Sequence, residues 1–112
     1  MTNTKNEIYM EMDDGRVLRF NGKLLAEVDD LRVEGLEEEI ERDFWQMYKL
    51  YITDNAKFII YHAIRWKSTF EREKFKIFSN KQELIDYAIK KEKRLLFKLL
   101  KKAKIPIIIE VE

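Results

Sequence analysis

The sequence predicts an α+β domain built on a mainly antiparallel sheet. Three observations predict it: apolar and polar residues alternate with period two through most of the first 78 positions, Gly-containing pairs punctuate the early stretches, and an apolar stripe at helical spacing follows position 80. The expected order is a three-stranded N-terminal meander, an acidic connection at 29–43, a second group of three strands, a C-terminal amphipathic helix and a last strand. All of it falls in a single domain, 1–112.

Each element has a local reason. Ile8, Met10 and Met12 alternate with Tyr9 and Glu11, the pattern of a half-buried strand. Asp14-Gly15 and Asn21-Gly22 are preferred central pairs of type I′ hairpin turns, so strands are expected around Leu18–Phe20 and Leu24–Val28. Residues 29–43 hold eight acidic and two basic side chains around Gly35, which reads as an exposed connection with one short helical turn. Phe44–Ile52 and Lys57–Trp66 are rich in aromatic and β-branched residues and flank Thr53-Asp54-Asn55-Ala56, a second hairpin. Both faces of these strands are apolar, which predicts central strands or cover on both sides. Arg72–Phe78 is one more strand, with Phe75 and Ile77 against Lys74 and Lys76.

Ser79-Asn80 opens the helical segment, where Asn80 with Glu83 fits a capping box. Leu84, Ile85, Ala88, Ile89, Leu95, Leu96, Leu99, Leu100 and Ala103 form the stripe, as one helix or as two with a break near Lys90–Lys93. Ile105–Val111 is the expected last strand, with Pro106 suited to its start or to a sheet edge.

Composition narrows the chemistry. The chain has 112 residues, 46% apolar and 38% charged, and a net charge of +1, so overall charge selects no partner. With no cysteine there are no disulfides, thiolate nucleophiles or Cys-ligated zinc. The opening MTNTKNE has no apolar run after a basic start, and no later run reaches the ~20 residues of a membrane-spanning helix. A cytoplasmic protein that does not enter membranes is the expectation.

RFNGKLLAEV (Arg19–Val28), then KFIIYH (Lys57–His62) and KQELIDY (Lys81–Tyr87), together resemble the EXLDI family in order and spacing. That family is small, bacterial and without an assigned activity. The resemblance implies a small accessory protein and supplies no catalytic residue.

His62 is the only histidine and the natural general base near neutral pH. It falls among Phe58, Ile60, Ile64 and Trp66 on an apolar face, with no nucleophile motif nearby, and therefore reads as a packed side chain. Adjacent Glu37, Glu38 and Glu39 point in different directions and lack the spacing of a calcium loop, so no metal or cofactor is expected. The three glycines stand apart and build no phosphate loop.

Lys90–Lys104 carries eight basic residues against one acidic residue. On a continuous helix Phe97 lies beyond the apolar stripe, among Lys93, Lys101 and Lys104, where an aromatic ring can anchor a protein or stack on a base. Those four are the expected partner-binding residues, with Tyr48 and Tyr51 as additional surface aromatics. The acidic and basic segments, about −6 and +7, favour pairing between copies or with a protein partner. The expectation is a non-catalytic accessory or regulatory protein that binds a macromolecular partner and self-associates as a homodimer. Nucleic-acid binding through the basic helix 90–104 is the alternative.

Overall fold

Alternating apolar residues form strands here because both faces of the sheet have something to bury against. A computed structural model of the chain describes residues 6–30, 44–66, 69–108 and 111. Five strands come first: β1 (Glu7–Glu11), β2 (Val17–Asp29), β3 (Phe44–Thr53), β4 (Phe58–Trp66) and β5 (Thr69–Phe78). Helices α1 (Lys81–Lys91) and α2 (Arg94–Lys102) follow. Each strand pairs antiparallel with its sequence neighbour, giving one curled sheet in the order β1-β2-β3-β4-β5.

The predicted three-stranded N-terminal meander is two strands. Asn21-Gly22 is not a turn, for both residues lie inside the 13-residue β2. Gly22 is there for a different reason. A Cβ at that position would sit 2.2 Å from the Ile52 carbonyl oxygen, so the close approach of β2 to β3 requires a residue without a side chain. The Gly22 N–H meanwhile donates to the Asn6 carbonyl at 2.8 Å, so this glycine is where β2 passes from pairing with β1 to pairing with β3.

Asp14-Gly15 does turn the chain, in a three-residue loop. The Met12 N–H meets the Arg16 carbonyl at 2.8 Å and the Gly15 N–H meets the Met12 carbonyl at 2.9 Å. Gly15 alone in this loop has positive φ, at 91°, which fits a type I turn closed by a left-handed residue rather than type I′. The β3–β4 loop repeats this design: Thr53 N–H bonds the Lys57 carbonyl, and Ala56 takes the left-handed position with φ 63°.

A bulge between Leu24 and Ala26 shapes the whole domain. One extra residue reverses which parity faces which side. Leu18 and Phe20, before the bulge, pack with Met12, Tyr51, Ile59, Tyr61 and Ala63 on one face of the sheet. Ala26 and Val28, after it, pack with Tyr48, Leu50, Phe58, Ile60 and the helices on the other. The β1–β2 hairpin thus curls over the face opposite the helices. Glu73 on β5 clasps its tip: its carboxylate accepts from the Asp13 N–H at 2.7 Å and from the Tyr61 hydroxyl, while Arg16 Nη2 donates to its carbonyl at 2.9 Å.

The predicted cap is present, with Asn80 Oδ1 accepting from the Glu83 N–H at 2.9 Å and Glu83 Oε2 accepting from the Ser79 N–H at 2.8 Å. The helical stripe is broken at Glu92, whose left-handed φ of 50° ends α1, and α2 starts after the extended Lys93. Leu84, Ala88, Leu96, Leu99 and Leu100 are buried against the sheet, where large-to-small changes typically cost ~2–5 kcal/mol. The expected last strand does not form over residues 105–108. Ile105 instead ends the helix, its N–H bonded to the Leu100 carbonyl at 2.9 Å and its side chain buried, and Ile108 is exposed. Within the acidic connection only Asp29 and Asp30 are described; 31–43 lie outside the described residues.

Candidate functional site

Register brings His62 and three lysines together. On the helix-covered face, β4 presents Ile60, His62 and Ile64, and β5 sets Lys76, Lys74 and Arg72 directly opposite them. Between β4, β5 and α1 on this face lies a cavity of about 250 Å³ lined by Ile60, His62, Lys74, Phe75, Lys76, Tyr87 and Lys91. Tyr87 comes from α1 because it falls on the half-buried side of that helix, where its ring tilts against Phe78 at 5.1 Å. Lys76 and Lys91 bracket the ring, with their ammonium nitrogens 4.8 and 5.7 Å from its centroid. Such contacts orient the lysine stems without neutralising them.

His62 forms the inner wall. Its ring is 8% exposed, stacks on Tyr48 at 4.2 Å, and bonds through Nε2 to Gln46 Oε1 at 3.0 Å. An amide oxygen only accepts, so Nε2 carries the proton and Nδ1 does not. Burial first, then the charges of Lys74, Lys93 and Arg72, pull its pKa down to about 4. Three cations from β5 and the α1–α2 junction thus converge on one buried ring. Among the described residues neither Arg72, Lys74, Lys76, Lys91 nor Lys93 is ion-paired.

The predicted partner-binding set is divided. Lys93 stands at the α1–α2 junction, where its charge bears on His62, but it does not line the cavity. Phe97 is on α2 and 37% exposed, as expected, although Ile89 is equally exposed. Lys101 and Lys104 lie toward the other end of α2, where Lys102 Nζ donates to the Glu27 carbonyl of β2 at 3.1 Å. Seven residues of helix, from Arg94 to Lys101, set these positions ~10 Å from the cleft end. Tyr48 and Tyr51 are not surface aromatics: they are 2% and 5% exposed. Tyr48 lies under the helices, and burial lifts its hydroxyl pKa to about 12. Tyr51 lies under the β1–β2 hairpin, with Phe20 edge-on at 5.3 Å and its hydroxyl bonded to Met10 Sδ.

His62 was visible in the sequence; Arg72, Lys74, Lys76, Tyr87 and Lys91 were not singled out as a site. The signal available was the alternation of three cations on β5, which only the pairing register aligns with His62. Among the described residues no three His, Asp or Glu side chains gather to hold a metal ion, and no helix is long and apolar enough to cross a membrane. Comparisons of the chain with protein-family models, curated proteins and solved structures find no match.

Proposed function

We propose that this domain acts by binding a macromolecular partner, without chemistry of its own, and that the partner is a single-stranded nucleic acid laid along β5 and the α1–α2 junction. The observation that carries this reading is the cavity lined by Lys74, Lys76 and Lys91, with the charges of Arg72 and Lys93 also bearing on His62 at its wall. Alternate residues on a strand recur every ~6.8 Å, so the three β5 cations form a ladder suited to an extended polyanion. The row Val28, Tyr48, His62, Lys74 crosses the sheet, so Asp29 lies three strand spacings, ~14 Å, from Lys74. His62, held neutral and bonded to an amide rather than a carboxylate, supports a binding role over a general base. An accessory role also fits the resemblance to the EXLDI family.

Fluorescence anisotropy with a labelled oligothymidine tests the reading. Lys74→Glu with Lys91→Glu should abolish binding, while Lys101→Glu with Lys104→Glu should weaken it only slightly. Loss of binding from the second pair alone would move the surface to α2.

A second reading rests on Phe97, exposed on a helix whose Leu96, Leu99 and Leu100 are buried. There a protein, including a second copy of this chain, is the partner. Phe97→Ala would then cost roughly 2 kcal/mol in affinity, and reversal of Lys101 and Lys104 would mainly slow association.

A further inference from the structure

We propose that the cavity between β5 and α1 is a site for a phosphate monoester dianion, held by Lys74, Lys76 and Lys91. The proposal deepens the reading of the basic face as an anion-binding surface and rests on it. It goes further by specifying a terminal phosphate, where a polyanion surface alone needs only internal ones.

The size of the cavity argues for an end group. At about 250 Å³ it falls short of the ~300–1,000 Å³ of pockets that enclose drug-sized ligands. It suits a phosphate with the first part of its carrier, not a chain passing through. The lining argues for a dianion. Three ammonium groups and no carboxylate face the space, over a floor of Ile60 and the Tyr87 ring. Lys76 and Lys91 are already positioned against Tyr87, which reduces the ordering cost of engaging a ligand.

His62 supplies the proton link. Tyr48 and Gln46 face it from β3, Lys74 and Arg72 from β5, and Lys93 from the helix junction. Tyr87 and Lys91 of α1 line the same cavity. In the empty site those cations oppose a charge on the imidazole. A bound dianion neutralises them and reverses the local field, so the ring accepts a proton from solvent at Nδ1, the nitrogen that Gln46 leaves uncommitted. Binding of an anion that stays dianionic, such as sulfate, therefore strengthens as pH falls from 7 toward 5, whereas a phosphate ester loses its own dianion over the same range.

The test uses the full chain, whose one histidine gives unambiguous imidazole resonances. Potassium sulfate, ribose 5-phosphate and potassium acetate are each titrated at constant ionic strength, between about pH 4 and pH 8, with the ring signals followed by NMR. Sulfate remains a dianion across this range, whereas the ester has its own second pKa near ~6. Sulfate and ribose 5-phosphate should raise the His62 midpoint by about one unit or more, and acetate by much less. For a rise of about one unit, sulfate affinity should increase about twofold from pH 7 to pH 5.

Lys74→Gln with Lys91→Gln, both at exposed positions, should weaken sulfate at least tenfold with an unchanged circular dichroism spectrum. His62→Gln should remove the change in sulfate affinity between pH 7 and pH 5. If that variant does not fold, the lysine pair carries the test alone. The proposal is overturned if no dianion moves the His62 midpoint, or if the lysine pair leaves sulfate affinity unchanged.

Oligothymidines with a 5′-phosphate and with a 5′-hydroxyl then identify the source. Tighter binding of the phosphorylated strand supports a strand end in the cavity. Equal binding of both strands, with sulfate inert, overturns the cavity site and leaves the basic face. Binding of sulfate and ribose 5-phosphate but of neither strand overturns the macromolecular reading and leaves the cavity as a small-ester site.

Discussion

Replacing Gly22 with alanine would force β2 and β3 apart. The new Cβ would meet the Ile52 carbonyl oxygen at 2.2 Å, Thr53 Cα at 2.9 Å and the Ile52 carbonyl carbon at 3.0 Å. All three are backbone atoms, so no rotamer change relieves the overlap. Overpacking of this kind costs roughly 1–3 kcal/mol. Relief by strand movement also loosens the Gly22 N–H bond to Asn6 and the Asp54 N–H bond to Asn21, both 2.8 Å, at about 1 kcal/mol each. Lower entropy of the unfolded chain returns roughly 0.5–1 kcal/mol. The net expectation is a loss of about 2–4 kcal/mol and a fall in Tm of roughly 10 °C or more. Urea and thermal denaturation followed by circular dichroism measure both. Asn21→Thr is the control, an exposed strand position where the change should stay within about 0.5 kcal/mol. A Gly22→Ala protein as stable as the parent, or Asn21→Thr as the costlier change, would refute the reasoning and restore a tight turn at this point.

Ala56→Gly should stabilise the domain by roughly 0.5–1 kcal/mol in the same assay, because φ 63° strains any residue with a Cβ. Glu73→Ala should cost about 2–3 kcal/mol, since it leaves the buried Tyr61 hydroxyl without its acceptor and releases the Asp13 N–H at the hairpin tip. Backbone amide exchange in β1 should accelerate with it, and unchanged protection there would argue against the clasp. For His62 the folded pKa lies below the unfolded value of 6.5, so the unfolded state binds the extra proton first. Stability is therefore full above about pH 6.5 and declines toward pH 4, and a His62→Gln protein that folds should show a shallower decline in urea titrations across that window.

Much of the architecture was legible because it is local. The alternation in β1, β4 and β5, the Thr53–Ala56 loop and the Asn80–Glu83 cap follow from neighbouring residues, whereas the break that makes two helices of one was only the alternative to a continuous helix. What was misread depends on contacts distant in sequence. Asn21-Gly22 has the composition of a type I′ turn, yet its glycine answers a steric demand from Ile52, thirty positions away. Ile105–Val111 has strand composition, yet Ile105 is used to close α2. Tyr48 and Tyr51 looked like surface aromatics only while the curl of the β1–β2 hairpin was unknown, for that curl covers the second face. The cleft was partly visible. His62 is the packed side chain its apolar neighbours predict, but Lys74 stands opposite it only because of the β4–β5 register.

The salt dependence of nucleic-acid binding tests the central claim most directly. Anisotropy of a labelled oligothymidine is measured in KCl from about 50 to about 300 mM. If Arg72, Lys74, Lys76 and Lys91 each meet one phosphate, log affinity should fall against log salt with a slope of about −3, from ~0.7 per contact on a single strand. Lys74→Gln with Lys91→Gln should reduce that slope to about −1.4. A strand that fails to bind at about 50 mM salt, or one whose slope is the same in the parent and the double variant, would contradict the account.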